Sequence, residues 1–175
     1  MQRYKKILLC LVALVAAGAW AQTGGESEAG QEQEPVSVSV EAFVVSEVTG
    51  EDGTTQERFT TASTARPGQV VEYRLTVRNQ EDTTLPAGTV VVTGPVPEST
   101  RYVGDSATPS SERVLTEFTA DGETYSEPPL TGSDEGTGGS GDTVAPSDYA
   151  AARWTLLVPM EPAQEEVFAY RVVVE

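Results

Sequence analysis

Histidine is absent from this chain, cysteine occurs once and lysine twice. Cys10, Lys5 and Lys6 all fall within the first 21 residues, in a segment patterned for export. Beyond it there is no imidazole to serve as a general base and no thiol to serve as a nucleophile. Soft-metal sites lose their usual ligands for the same reason. A serine hydrolase would lack its base, an isopeptide cross-link its lysine, and a disulfide both of its partners. The chain is therefore expected to be non-enzymatic. No stretch keeps a 3.6-residue apolar period, so helices are not expected either.

The amino-terminal segment sets the address. Arg3, Lys5 and Lys6 form a positive start, residues 7–17 are an almost unbroken apolar run, and Ala19-Trp20-Ala21 places small residues at both positions that a signal peptidase reads. At about 15 residues, the stretch 7–21 is shorter than the ~20 needed to cross a bilayer. Cys10 follows the large Leu9 inside that run, which argues against a lipid anchor. A signal peptide over 1–21 is expected to be removed, so that the mature chain starts at Gln22 and keeps no membrane span. It is placed as a secreted, periplasmic or cell-surface protein.

Cleavage sharpens the charge. The whole chain carries a formal −16, and loss of three basic residues and no acids leaves eight arginines against 27 carboxylates, or −19. That field disfavours nucleic acid and anionic membrane surfaces, and suits cations or a basic partner. A domain of ~140 residues can bury roughly two-thirds of its unfolded surface, so it can stand without disulfide staples.

Residues 22–35 (QTGGESEAGQEQEP) hold no large apolar side chain and are expected to be a disordered acidic linker. From Val36 on, the pattern has period two. The clearest strand covers 69–79, with Val71, Tyr73, Leu75 and Val77 on one face and Glu72, Arg74, Thr76 and Arg78 on the other. Val36, Val38 and Val40 alternate with polar residues, and a phase slip near Ala42-Phe43 suggests a bulge or a change of partner sheet. Further strands are expected at 57–62, 89–93, 101–103, 113–119, around Trp154, Leu156 and Val158, and at 166–175. Residues 128–147 show no apolar pattern and read as a long flexible loop. The expected architecture is an all-β, immunoglobulin-like antiparallel sandwich of about seven to nine strands over 36–175. Tyr73, Trp154 and Tyr170 are expected in its core.

The run Pro67-Gly68-Gln69-Val70-Val71-Glu72-Tyr73-Arg74-Leu75-Thr76-Val77-Arg78-Asn79 resembles a conserved repeat domain of exported surface proteins, domain-of-unknown-function family eleven. Val90-Val91-Val92, Pro97, Tyr102-Val103-Gly104-Asp105-Ser106, Arg153-Trp154-Thr155-Leu156 and residues 166–172 continue the likeness, which spans 67–175. Thr93-Gly94-Pro95-Val96-Pro97 departs from it, because the family commonly places an aspartate shortly before the proline. The resemblance implies an immunoglobulin-like sandwich in an envelope or surface protein, and implies no catalytic residue.

Among the acids, calcium is the serious ligand to weigh, since it takes six to eight oxygens from clustered carboxylates and carbonyls. Asp52 beside Glu51, Asp82 beside Glu81, and Asp134-Glu135 with Asp142 are the candidates, and none has the spacing of a dedicated calcium loop. Glu117, Asp121 and Glu123 are the carboxylates weighed for glycoside hydrolysis. They sit beside a hairpin and lack aromatics to stack a sugar. Thr119-Ala120-Asp121-Gly122-Glu123-Thr124-Tyr125 resembles an Asp-box hairpin, in which the aspartate closes the turn.

These observations set out a structural or interaction module whose partners are other envelope or surface proteins. Two further readings stay open: a calcium- or ligand-binding module, and a subunit that assembles by donating strand 36–45 to a neighbour. Self-association into a homo-oligomer is left open as well.

Overall fold

The computed structural model describes residues 5–6, 35–131 and 143–175; residues 1–4, 7–34 and 132–142, with most of the expected signal peptide and linker, lie outside the described residues. The period-two pattern becomes strands throughout, apart from one 3-10 turn at Pro146–Asp148. In chain order these are β1 (Lys5–Lys6), β2 (Val36–Thr49), β3 (Thr55–Thr61), β4 (Thr64–Ala65), β5 (Val70–Asn79), β6 (Val91–Pro95), β7 (Thr100–Tyr102), β8 (Val114–Thr119), β9 (Ala151–Leu156) and β10 (Glu165–Val174).

Eight of them build two antiparallel sheets, one of five strands in the order β3-β2-β5-β10-β7 and one of three in the order β6-β9-β8. The short β1 pairs only with β4. The two sheets face each other as a β-sandwich, with β5 and β10 in the middle of the larger one.

The inward face of β5 carries Val71, Tyr73, Leu75 and Val77, all at most 3% exposed. Phe168, Tyr170, Val172 and Val174 of β10 lie beside them, since β10 pairs with β5 in one unbroken register from Glu165↔Arg78 to Val173↔Val70. The smaller sheet answers with Val92, Trp154 and Leu156. Trp154 stacks on Phe168 at 5.5 Å between ring centres, and Tyr170 stacks on Tyr73 at 5.3 Å. Each such apolar side chain taken from water stabilises the fold by roughly 1.5–3 kcal/mol. Tyr73, Trp154 and Tyr170 are thus core residues, as the alternation predicts.

The turn into β5 needs Gly68, whose φ of +84° is a conformation that side-chain-bearing residues seldom adopt. At the strand's other end Asn79 is 1% exposed and replaces missing backbone partners. Its amide nitrogen donates to the carbonyls of Thr83, Met160 and Glu161, and its oxygen accepts from the Glu81 N–H. Leu85 and Met160 exchange backbone hydrogen bonds of 2.9 and 3.0 Å beside it, closing the same end of the sandwich.

Two expectations need correction. No bulge interrupts β2: its pairing with β5 runs unbroken from Val36↔Asn79 to Val45↔Val70. The slip in apolar phase arises because Phe43 sits on the outer face of the sheet, where the Arg74 guanidinium lies 4.6 Å from its ring centre. From Phe43 on, β2 also pairs with β3 and runs past the end of β5 to Thr49 as a two-stranded ribbon. The stretch 128–147 is also not wholly without apolar anchoring. Leu130 is 5% exposed in the core, and Val144 donates its N–H to the Leu130 carbonyl at 2.9 Å.

Candidate functional site

Three surface features are built by this framework. The first is a cleft of about 330 Å³ where β7 and β8 meet the segment around Pro146–Asp148. Its floor is aromatic. Tyr102 stacks on Tyr149 at 5.8 Å, and Phe118 tilts against both at 5.3 and 5.1 Å. Pro109, Pro128 and Pro146 form exposed walls around these buried rings. The polar groups of the lining are matched internally: Thr116 donates its hydroxyl to the Thr108 carbonyl, and its N–H goes to Ser110. The Ala107 N–H reaches the Tyr102 hydroxyl at 3.1 Å. Burial pushes that hydroxyl above its ordinary pKa, so it stays protonated through the physiological range.

Two carboxylates, Asp105 and Glu127, complete the lining, and both are exposed. Each of the seven ion pairs among the described residues uses other acids. The cleft therefore combines a buried aromatic floor and apolar walls with two carboxylates that take part in no ion pair among the described residues. At 330 Å³ it lies at the small end of ligand-sized cavities.

The second feature is a partly open sheet edge. β3 pairs with β2 only from Phe43 to Thr49. Along residues 36–41, β2 has β5 on one side and no strand on the other among the described residues. The direction of the backbone groups follows from two hydrogen bonds. Gln80 donates to the Pro35 carbonyl toward β5, whereas Ala62 donates to the Ala42 carbonyl toward β3. Strand residues alternate, so Val36, Val38 and Val40 direct their N–H and C=O groups to the open side.

The third feature is a charge array on the outer face of the larger sheet. Arg171 donates from Nε to Glu72 at 2.8 Å, and from both terminal nitrogens to the two oxygens of Glu57 at 2.7 Å each. Glu72, only 7% exposed, also accepts from Arg74 Nε at 2.7 Å. Arg74 in turn covers the rings of Phe43 and Phe59 at 4.6 and 4.7 Å. These contacts fold the β2–β3 ribbon onto the sheet. They are a clasp within the chain, already closed on itself.

The acids singled out in the sequence have separate roles. Asp52 accepts from the N–H and hydroxyl of Thr54, which caps the β2–β3 turn and draws its pKa down. Asp82 is exposed in the turn after β5. Asp134 and Asp142 lie outside the described residues, as does Glu135. No group of three or more acidic residues gathers as a metal cage among the described residues. Glu117 forms a two-pronged pair with Arg153, at 3.1 and 2.8 Å, and the Arg153 guanidinium lies over Tyr125. Asp121 accepts at 2.8 Å from the Thr119 hydroxyl and from the N–H groups of Glu123 and Thr124. Those bonds close the hairpin, as the Asp-box resemblance implies, and pull the Asp121 pKa to about 2.

Sequence reasoning missed the cleft. Tyr102 and Phe118 were visible in short strands, but Tyr149 follows a loop of no apolar pattern. The recurrence of proline at 109, 128 and 146 beside these aromatics was the available signal. As a class, the chain is an all-β, two-sheet sandwich in which no helix among the described residues is long and apolar enough to cross a membrane. Compared with protein-family models, curated proteins and solved structures, it matches none.

Proposed function

We propose that this protein is a non-catalytic interaction module of the cell envelope or surface, and that it makes contact by strand addition. The open edge of β2 carries the reading. Three consecutive outward-facing backbone positions offer hydrogen bonds to an incoming strand, and main-chain pairing of that kind gives affinity without any reactive group. Export by the amino-terminal segment and the resemblance of residues 67–175 to surface-protein repeats agree with it. The acidic surface favours a basic partner.

Strand donation by residues 36–45 is the less favoured version. That segment already pairs with β5 at ten consecutive positions, and giving it up would remove a strand from the middle of the larger sheet. Reception at the open edge leaves the sandwich intact.

Chemical cross-linking in envelope extracts, followed by size exclusion, tests the proposal. The native chain is expected in complexes, and Val38→Pro is expected to leave them. Proline at 38 removes an N–H that faces the open side, so the β2–β5 ladder is spared and circular dichroism should be unchanged. A native chain that stays monomeric and partner-free overturns the reading.

A further inference from the structure

We infer that the cleft between β7, β8 and the Pro146–Asp148 turn receives an arginine or lysine side chain from a partner polypeptide. The cleft lies by β7, at the opposite edge of the larger sheet from β2 and β3. Strand addition and side-chain capture therefore use separate surfaces and fail separately.

Each part of the cleft selects for this chemistry. The floor is three mutually packed rings, Tyr102, Phe118 and Tyr149. These rings are at most 6% exposed and pack against one another, so they give the cleft an apolar floor beside which a cation's attraction to a carboxylate is less screened than in open water. The proline walls provide apolar surface for the methylene stem that arginine and lysine bury beneath a charged head. Asp105 and Glu127 supply the countercharge, and among the described residues neither takes part in an ion pair. The interior hydroxyls are bonded to neighbouring backbone, with Thr108 Oγ1 accepting from Ala169 N–H and Ser110 Oγ from Thr116 N–H. They leave little for a neutral polyol to bind. An anion would meet two carboxylates in a strongly acidic protein.

The size agrees. A volume of about 330 Å³ takes one long side chain with some of its backbone, and would exclude a folded domain. A partner would therefore present the cation from an extended segment or a loop tip.

Nitrogen-15 NMR of the full chain, titrated with acetyl-Gly-Arg-Gly-amide, tests this. The control peptide carries citrulline in place of arginine, with the same shape and no charge. Saturable shifts at residues 105–110, at 127 and at Tyr149 are expected with arginine and not with citrulline. The pair Asp105→Asn and Glu127→Gln should weaken binding by about tenfold or more, as expected when two facing charges are lost. The pair Glu47→Gln and Glu51→Gln, on the remote ribbon, removes the same charge and should change nothing. Equal weakening in that control would reduce the effect to overall acidity and overturn the site. Equal binding of citrulline, or shifts scattered over the surface, would do the same. Free arginine binding as tightly as the peptide would replace the polypeptide partner with a small-molecule cation and overturn that assignment. Tyr149→Leu should weaken the peptide while leaving the carboxylates in place. If that variant does not fold, the two carboxylate pairs still decide the question.

Discussion

Arg171 and Glu57 meet fork to fork, two parallel hydrogen bonds of 2.7 Å joining residues 114 apart in the chain. The pair ties the exposed ribbon strand β3 to β10, two strands beyond β2. Arg171 holds the Glu57 carboxyl below its ordinary 4.5, while Glu57 keeps the guanidinium still more firmly charged. A carboxylate whose folded pKa is depressed stabilises fully above its ordinary value. That contribution is lost as pH falls through the lower folded one. The pair is solvent-exposed, so its effect is local more than global. Hydrogen-exchange protection factors at residues 55–61 should drop between about pH 6 and pH 3, and Glu57→Gln should show the lowered protection at both. Arg171→Met should lower protection further, because it also takes a partner from buried Glu72. Unchanged protection in both variants would show that the ribbon is held by Phe59 and Arg74 alone.

Asn79 should be intolerant of change. Replacing it with alanine leaves three carbonyls and one N–H without their side-chain partner at a nearly sealed position. A loss of roughly 2–3 kcal/mol in urea unfolding is expected. Asn79→Asp should be worse near neutral pH, since it turns a carboxylate toward those carbonyls. Its folded pKa would be raised, so the variant should regain stability as pH falls, the opposite sign to Glu57.

Gly94→Ala tests core packing from the smaller sheet. A methyl group there would stand 2.6 Å from Tyr170 Cε1 and 3.0 Å from Trp154 Cζ3. Both rings are fully packed and the Tyr170 hydroxyl is bonded to the Pro95 carbonyl, so neither can swing aside freely. Overpacking of this kind costs about 1–3 kcal/mol. Denaturant unfolding measures it, and a neutral result would mean that β6 can slide away from β10.

Asp121 should titrate near 2 in a carboxyl-carbon NMR titration, well below its ordinary 3.8. Asp121→Ala should open the hairpin at residues 119–124 at neutral pH. The sign again follows a depressed carboxylate. The difference between native and variant persists above about 3.8 and disappears as pH falls through about 2.

Legibility from sequence varied with the physics behind each element. β5 was plain because one face is buried and the other largely charged or polar, and β10 because Phe168, Tyr170, Val172 and Val174 recur at every second position on its buried face. β2 was readable only to Val45. Past that point it pairs with β3 alone, both its faces are wet, and the alternation that burial enforces fades. Phe43 was misread because an outward aromatic is stabilised by Arg74, a neighbour on another strand that no local pattern reveals. The cleft was illegible for a related reason: Tyr102, Phe118 and Tyr149 come together through packing of three separate segments. The turn role of Asp121 could be read early because its partners are within three residues.

The position of β10 has a consequence for how the chain comes to be rigid. It sits between β5 and β7, and its Glu165 pairs across 87 residues with Arg78. The pairings of β10 with β5 and with β7 therefore wait on a segment far downstream, whereas β2, β3 and β5 can pair before it. Once that segment arrives, closure of such distant pairings is slow and then sets the whole body at once.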